Sequence, residues 1–547
     1  MAILKNIAST YDELRNNDKA KVGNILLKDR LILSQLITNS PADKALRFVW
    51  ANRSLAQACR SNSSAVLALG DAPEVDLLAR KASLMMRKKL GLISPCEINN
   101  QDDLTEFLNR TNVSVLILKQ NYPCDNEEFF RAINFNFGKT KLEIANKKID
   151  YDVIESKMCL ANVGRKSGSW MKYEIERYLR FILKKNNINL SEQEILDSAR
   201  IMKSLVSKFL LSSKIFKGSM DDLATEVRTL IEENFLPVFK FSYSVSGFGV
   251  HYPKNLDGSY NISELERALS SGGELLGYLT DALNKNGQTI DRATLEHDIS
   301  YYGIILQRHI CGHEYSAGYF KPLSSQASDF CLGLNDLVVT DVLVEGTGHS
   351  GNVLHYDASY LHRILRSTPF NNQPNLLHFS IELILYLMYL DQKMINNPED
   401  FERVCVEDFG IQFIVNDATG EIGLIEFNGR TPSCNLNHFH LLSKYNLDSE
   451  DATILLSKSV LFTNAKIMHA SEFCGMKDRL ESFVMSLIKN TNDKFGNKCE
   501  LVSLQTTNGD LTVNFAYFLD HYREQQLGSC MDNIKKFFLH SIDKAEL

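Results

Sequence analysis

The sequence lacks the features that mark secreted and membrane proteins. Its 547 residues contain no apolar run approaching the roughly 20 residues that a membrane-spanning helix requires. The N-terminus has neither the basic start nor the long apolar run of a secretory signal. The eleven cysteines are scattered and never arranged as Cys-x-x-Cys, which favours reduced thiols over a disulfide framework. These absences predict a cytoplasmic protein without a membrane partner.

The sequence also lacks an excess of positive charge. The 60 basic residues are outnumbered by 67 acidic ones, and the net charge is −7 with the two signs intermixed. Nothing therefore favours nucleic acid as a partner. We find no internal repeat, no low-complexity segment and no Walker A motif. Composition is ordinary for a soluble globular protein, and the length predicts at least three domains.

Four domains are predicted from changes in pattern along the chain. Residues 1–165 alternate β-type runs, such as Phe48-Val49-Trp50 and Ser114–Leu118, with helical spacing over Glu74–Leu90, which is typical of an α/β layer. Residues 166–235 are predicted to form a helical lead-in, and residues 236–440 a core that contains every strong motif. Residues 441–547 are predicted to form an α+β cap, with a hairpin turned at Asn508-Gly509-Asp510 and a final helix near Met531–His540.

Helix signals are clearest between residues 166 and 235. An apolar face repeats with helical spacing at Ile175, Tyr178, Leu179 and Ile182. Ser191 with Glu194 has the spacing of a capping box, and Ser219 with Asp222 repeats the signature. Later in the chain, the apolar segment Leu376–Leu390 is predicted to be a core helix.

A lysine at the end of an apolar strand begins the first candidate site. Pro237-Val238-Phe239-Lys240 is followed by a loop that contains serine and glycine at Ser244, Ser246, Gly247 and Gly249. Such a loop brings backbone N–H groups and hydroxyls close to phosphate oxygens, and the lysine adds positive charge. The alternative is a hairpin turn with an exposed lysine.

A predicted antiparallel hairpin carries the second candidate site. Strands over Val406–Val415 and Glu421–Asn428 are joined by a turn-rich loop, and Glu426 and Asn428 point to the same face. If residue 415 pairs with 421, residue 412 lies opposite 424 and residue 408 opposite 428. Gln412 and Asp408 then join Glu426 and Asn428 in an oxygen set suited to Mg²⁺. Arg430 follows and could contact a transferring phosphate. The alternative is a solvent-facing polar hairpin.

A third segment lies between these two. The apolar strand Ile304-Ile305-Leu306 leads into Gln307-Arg308-His309-Ile310, and Glu314 follows. In this order, the three segments resemble the ATP-grasp superfamily of carboxylate ligases. The resemblance covers residues 190–440 and implies an α/β (α+β) ATP-grasp fold, with an N-terminal α/β domain and a small C-terminal α+β domain. The two outer domains are loosely similar to those of pheganomycin-type peptide ligases and of the ligase that loads glutamate on a carrier protein in butirosin biosynthesis.

The resemblance implies a role for each segment. Lys240 would bind phosphate, and the Ser244–Gly249 loop would close over the nucleotide. Gln307, Arg308, His309 and Ile310 would form the hinge that reads adenine, through Arg308 C=O and Ile310 N–H, while Glu314 would hold the ribose. The metal ligands would be Gln412, Glu426 and Asn428, and Arg430 would act on the transferring phosphate. Either Lys203 or Lys208 would supply a second phosphate lysine.

The implied activity is an ATP- and Mg²⁺-dependent ligation. A carboxylate would be activated as an acylphosphate and attacked by an amine, forming an amide or peptide bond on an amino acid or small peptide. One alternative acceptor is a carrier-protein thiol. Gln412 stands where the superfamily usually has an acid, and Gln307 where its hinge usually begins with Glu, so a non-catalytic ATP-binding protein is a further alternative. A homodimer is the default oligomer.

Weaker candidates follow from isolated polar residues. Cys434, His438 and His440 lie close together, but their spacing fits no standard zinc motif, so the lining of a substrate cleft is preferred. His349 and His355 flank a polar loop, for which a surface position is preferred over contact with the carboxylate substrate.

Overall fold

The computed structural model describes four strands before residue 157 and most of the chain after it. The described ranges are 32–35, 65–69, 91–93, 113–118, 157–241, 249–255, 259–285, 290–301, 303–320, 338–345, 348–355, 358–393, 395–404, 408–428, 459–469, 480–496, 499–507, 510–519, 533–534 and 536–537. The chain divides into two compact units. The first contains residues 1–23, 149–349 and 358–432, and the second contains residues 24–148, 350–357 and 433–547.

The N-terminal strands form a parallel sheet in the second unit. They are β1 (Ile32–Gln35), β2 (Ala65–Leu69), β3 (Gly91–Ile93) and β4 (Val113–Leu118), in the order β1-β4-β2-β3. The apolar run of β4 is the pattern expected for a strand buried in a parallel sheet. Strand β4 confirms the predicted strand at Ser114–Leu118. The predicted strand at Phe48–Trp50 and helix at Glu74–Leu90 lie outside the described residues.

After residue 156, helices and strands alternate. In chain order the elements are α1 (Lys157–Arg165), α2 (Gly168–Lys185), α3 (Glu192–Phe209), β5 (Ser213–Phe216), α4 (Met220–Glu232), β6 (Pro237–Phe241), β7 (Val250–His251), α5 (Ile262–Ala268), α6 (Gly272–Lys285), α7 (Arg292–Tyr301), β8 (Ile304–Arg308), β9 (His313–Phe320), β10 (Val338–Glu345), β11 (Gly348–His355), α8 (Ala358–Ile364), α9 (Pro374–Asp391), α10 (Pro398–Val404), β12 (Asp408–Asn416), β13 (Glu421–Asn428), β14 (Ser459–His469), α11 (Leu480–Phe495), β15 (Cys499–Thr507) and β16 (Asp510–Leu519).

The first unit contains two antiparallel sheets that carry the candidate site. The small sheet has the order β5-β8-β6-β7, and its inner face packs on helices α4 to α7 through a buried apolar cluster. In the second sheet, β13, β12, β9 and β10 lie side by side in that order, and their core face packs on α2, α3 and α9. The mixture of helices with antiparallel sheets confirms the predicted α+β class.

The predicted helix signals are confirmed by the described caps and buried faces. Ile175, Tyr178, Leu179 and Ile182 are all buried on α2. The Ser191 hydroxyl accepts a hydrogen bond from the Glu194 N–H, and the Glu194 carboxylate accepts one from the Ser191 N–H, which completes the capping box. At α4 the Ser219 hydroxyl accepts from the Asp222 N–H at 3.2 Å.

Helix α9 is buried on every side, as its continuous apolar sequence predicts. Two polar side chains of α9 form reciprocal hydrogen bonds with α2. The Tyr178 hydroxyl of α2 donates to Glu382 of α9 at 2.5 Å, and the Tyr386 hydroxyl of α9 donates to Glu174 of α2 at 3.2 Å. The two tyrosine rings stack with centroids 4.5 Å apart. Burying a polar group costs free energy unless the group is hydrogen-bonded. These two hydrogen bonds therefore allow two carboxyl groups to lie inside a helical core.

The hairpin of β12 and β13 forms as predicted, but the predicted register is wrong by one residue next to the turn and by two residues at Gln412. Val415 pairs with Ile422 and not with residue 421, and Phe413 pairs with Leu424. A bulge between Gln412 and Phe413 then places Gln412 directly opposite Glu426, and Gly410 opposite Asn428. Residue 408 therefore does not face Asn428; it pairs with Phe320 on the other side of β12. There are two causes: the turn is one residue shorter than predicted, because Asn416 pairs with Glu421, and the bulge passes over Ile425 and shifts the pairing by one more residue.

The second unit contains a further group of antiparallel strands. Strand β11 pairs with β14, β14 with β16, and β16 with β15. The pairing of β15 with β16, from Cys499↔Tyr517 to Thr507↔Asp510, confirms the predicted C-terminal hairpin. The turn residues Asn508 and Gly509 and most of the predicted final helix lie outside the described residues, which include only short helical pieces at 533–534 and 536–537.

Within the described ranges, no helix has both the length and the apolar character that crossing a membrane would require.

Candidate nucleotide site

Lys240 lies in the interior of the small sheet. It pairs with Ile305 of β8 on one side and with Val250 of β7 on the other, and every residue of β6 is buried. Only 5% of Lys240 is exposed, and its ammonium donates to the carbonyl oxygen of Ile425 on β13 at 2.5 Å. A buried ammonium requires acceptors around it. The lysine strand and the predicted metal hairpin therefore face each other.

Glu314 and Glu426 share this electrostatic environment. Glu314 lies on β9, opposite Ile414 of β12, and Glu426 lies on β13, opposite Gln412. Burial, together with the negative charge of Glu426, raises the pKa of Glu314 to about 7, although the positive charge of Lys240 opposes both effects. The three charged groups thus interact across one region, where the positive charge of Lys240 is set against two carboxyl groups.

The side chains predicted to hold a metal come together on the hairpin. The bulge sets Gln412 across from Glu426, and Asn428 lies two residues along the same strand, so that it points to the same face as Glu426. All three are partly buried. One carboxylate and two amide oxygens suit Mg²⁺, which takes oxygen ligands and normally completes its shell with phosphate and water. Among the described residues, no group of three or more His, Cys, Asp and Glu side chains is arranged to hold a metal ion.

The segment predicted as a hinge joins the two sheets of the first unit. Gln307 is 5% exposed, and its amide donates to the Ser213 hydroxyl at 3.5 Å. The backbone N–H of Arg308 donates to Ser212, and that of His309 donates to Leu236. Ile310 is buried at 4% exposure. The hinge backbone is therefore held on both sides by neighbouring segments of the small sheet.

An aromatic cluster beside the hinge was not found by sequence reasoning. The Tyr252 ring lies 4.8 Å from the His309 ring and 6.2 Å from the Tyr260 ring, and the rings of Tyr260 and His309 are 5.2 Å apart. The Lys254 ammonium lies over Tyr252 at 5.8 Å. Burial raises the pKa of Tyr252, and the nearby charge of Glu314 adds to that effect. The only signal in the sequence is the closely spaced pair of tyrosines after the glycine loop, which by itself indicates no particular site.

Burial also lowers the pKa of His309, so its imidazole is neutral at physiological pH. The His309 ring is inclined at 47° to the Tyr252 ring and at 64° to the Tyr260 ring. Uncharged rings of this kind suit contact with a nucleobase, because stacking requires a ring face and no fixed charge.

The two alternative phosphate lysines lie on α3. The Lys203 ammonium lies against Gly168 in the first turn of α2, where an added Cβ would be 3.1 Å away from it. Lys208 is exposed in the last turn of α3. Residue 210, just beyond it, pairs with Leu424 of β13. The choice between Lys203 and Lys208 remains a prediction.

Several predicted site residues lie outside the described chain. They are Ser244, Ser246, Gly247, Arg430, Cys434, His438 and His440. Gly249, at the end of the predicted phosphate loop, is described and has φ of +73°, a conformation that glycine adopts readily. His355 is buried in β11, and its Nδ1 lies 2.9 Å from the Ser459 hydroxyl, so the surface position preferred for it is wrong.

The sequence matches no protein-family model, and it matches no curated protein. The structure is similar to the ADP complex of PurK, an N5-carboxyaminoimidazole ribonucleotide synthetase, at 9% identity and a TM-score of 0.42 over 96% of this chain and 100% of that one. It is also similar to an L-amino acid ligase from Bacillus licheniformis, at 8% identity and a TM-score of 0.38 over 87% and 97% of the two chains. A biotin carboxylase from Campylobacter jejuni gives 10% identity and a TM-score of 0.36 over 90% and 97%.

All three are ATP-grasp carboxylate ligases, the superfamily that the three sequence segments resemble. Since each TM-score lies below 0.5, the function proposed below rests on the geometry of the site.

Proposed function

We propose that this protein is an ATP-grasp ligase that uses Mg²⁺ and ATP to join a carboxylate to an amine, with release of ADP. The observation that supports this most strongly is the bond from the buried Lys240 ammonium to Ile425, the neighbour of Glu426. It sets a phosphate-binding cation and a metal-binding carboxylate on facing strands. A nucleotide triphosphate with its metal requires both.

Each described group has a role in this proposal. Lys240 would neutralise charge that builds on the transferring γ-phosphate, and Arg430, which lies outside the described residues, is proposed to act on the same charge. Glu426, Asn428 and Gln412 would hold Mg²⁺, which when bound would supply positive charge to offset the negative charge of the phosphates. The hinge at Arg308–Ile310 reads the base, Glu314 holds the ribose, and the rings of Tyr252 and His309 lie against the base.

The chemistry places few demands on the protein beyond positioning. The carboxylate attacks the γ-phosphorus, the bond to ADP breaks, and an acylphosphate forms. The amine nitrogen then attacks the acyl carbon, phosphate leaves, and the amine proton passes to solvent or to the phosphate. Closure of the Ser244–Gly249 loop would exclude water, which would otherwise hydrolyse the acylphosphate. The substrates proposed are amino acids or small peptides; a carrier-protein thiol is the alternative acceptor.

The direct test measures ADP formation by the purified protein with ATP, Mg²⁺ and pairs from an amino-acid pool. We expect ADP and phosphate only when a productive pair is present. Steady formation of AMP and pyrophosphate would contradict the mechanism. Lys240→Met should lower the rate at least about 100-fold, because one preorganised charge at a transition state contributes on that order. Lys217→Gln is the matched control, since the Lys217 ammonium also donates to a backbone carbonyl, that of Tyr301 at 3.1 Å.

One observation supports a second candidate, a protein that binds ATP without turnover. Gln412 lies directly opposite Glu426, where the resemblance predicts an acid, so the metal set carries one negative charge fewer. Tight binding of Mg·ATP, with no ADP formed in any substrate pool and no activity gained by Gln412→Asp, would favour this candidate over the ligase.

A further inference from the structure

Strand β13 contacts the segment that joins helix α3 to β5 and the hinge that joins β8 of the small sheet to β9 of the second sheet. An added Cβ at Gly423 would lie 2.4 Å from Leu211, before β5, and 2.6 Å from Ile310, in the hinge. Leu424 pairs with Leu210. The first half of β13 therefore lies close to both of these segments.

An ion pair joins the hinge to the same strand. The Arg308 guanidinium donates to the carboxylate of Glu421, the first residue of β13. Both side chains are 35% exposed. Ion pairs of this exposure add little to folding stability. We therefore expect the pair to act on the relative positions of the hinge and β13, which it joins.

Arg308 and Glu421 belong to opposite ends of the proposed site, the base-reading hinge and the metal-binding hairpin. Arg308 belongs to the hinge that reads the base, and its own N–H is fixed on Ser212. Glu421 begins the strand that continues to Ile425, the acceptor for Lys240, and to Glu426. Five residues of extended strand span roughly 16 Å with little freedom to change length. A shift of the hinge relative to Glu421 would therefore change the distance between the bound base and the metal-binding oxygens.

We infer that Arg308 and Glu421 are positioning residues, which fix the base-reading hinge at a set distance from Lys240 and Glu426 and so determine nucleotide affinity and base preference. This inference rests on the proposed function. Neither side chain need touch the nucleotide, since the guanidinium acts on the hinge backbone and the carboxylate acts on β13. A planar guanidinium holds a carboxylate with more geometric restriction than an ammonium does, which makes Arg308→Lys a graded variant.

The test is equilibrium binding of Mg·ATP and Mg·GTP by calorimetry to the full chain. Variants are Arg308→Gln, Arg308→Lys, Glu421→Gln and the exchanged pair Arg308→Glu with Glu421→Arg. We expect each Gln variant to raise Kd for Mg·ATP about tenfold, a usual size for coupling between two positions, and to reduce the preference for ATP over GTP. Arg308→Lys should lose less, and the exchanged pair should recover most of the affinity.

The matched control is Lys214→Gln. Lys214 lies on β5 of the same small sheet and makes an ion pair with Glu226. Its side chain is 49% exposed, and this ion pair does not join the hinge to β13. It should bind Mg·ATP as the wild type does. Thermal melting of every variant should stay close to that of the wild type, because an ion pair whose side chains are 35% exposed adds little to folding stability. If Arg308→Gln fails to fold, Glu421→Gln and the exchanged pair provide the test.

The outcomes separate the two levels of the proposal. Wild-type affinity and base preference in both Gln variants would overturn the inference while leaving the ligase proposal intact. Failure of the exchanged pair to recover any affinity would also overturn it. A wild-type protein that binds no Mg·ATP would overturn the proposed function, and the inference with it.

Discussion

At the residue scale, the central feature is a lysine buried almost completely beside two acids. An ammonium loses its hydration on burial and is stable only where acceptors replace water. Lys240 obtains one acceptor from Ile425 and favourable charge from Glu314. A site of this kind is prepared for an anion of high charge, because the cation is already desolvated and fixed in position.

Glu314 allows a prediction about pH. Its pKa in the folded protein is raised to about 7, mainly by burial, whereas an unfolded glutamate titrates near 4.5. The folded state therefore binds the proton more tightly, and this group lowers the free energy of unfolding as pH rises from 4.5 through 7. Relative to wild type, Glu314→Gln should be neutral near pH 4.5 and more stable by a few kcal/mol above pH 7.

The measurement is denaturant unfolding of both proteins at pH 4.5, 6 and 8. Glu226→Gln, which alters an acid outside this cluster, provides the comparison. A difference between Glu314→Gln and wild type that does not change with pH would show that Glu314 has an ordinary pKa.

At the element scale, strand positions were predictable and their register was not. Alternation of apolar and polar residues located β12 and β13 to within two residues. The pairing depends on the turn, where Asn416 pairs with Glu421, and on the bulge beside Gln412, which adds Ile425 on β13 and so interrupts the alternation of that strand. The same bulge places Gln412 across from Glu426, so the predicted oxygen set is brought together by a feature absent from the prediction.

Long-range contacts of side chains were equally beyond prediction. The sequence identified Arg308 as a backbone contributor to the hinge, but nothing in it links residue 308 to residue 421. The partners are 113 positions apart. Such a pair depends on how two sheets meet, which local patterns do not encode. Capping signals behave differently, since Ser191 and Glu194 are three residues apart and confirm a local rule.

The hinge also depends on one glycine. An added Cβ at Gly312 would lie 2.3 Å from the Val415 carbonyl oxygen, so the hinge backbone must approach β12 without a side chain. Gly312→Ala should lower the free energy of unfolding by about 1–3 kcal/mol, as overpacking does. At Gly273 in α6 an added Cβ would make only an ordinary van der Waals contact, at 3.9 Å, so Gly273→Ala should be neutral or slightly stabilising.

Chemical unfolding of the two variants under the same conditions provides the measurement. Equal stability of Gly312→Ala and Gly273→Ala would contradict the close approach of the hinge to β12.

At the scale of the whole molecule, every described residue of the proposed site belongs to the first unit. That unit supplies two sheets, the hinge between them and a helical core behind the second sheet. The core contains the hydrogen bonds of Tyr178 to Glu382 and of Tyr386 to Glu174, which no periodic pattern in the sequence predicted. The boundaries of the four predicted domains, including that at residue 441, remain predictions.

The most direct test of the account is a double-mutant cycle on Mg·ATP affinity with Lys240→Met, Glu426→Gln and the double variant. If both residues act on one bound nucleotide across one cleft, their effects should be non-additive, with a coupling free energy of at least about 1 kcal/mol. Additive effects, or an unchanged Kd in either single variant, would contradict a shared nucleotide site.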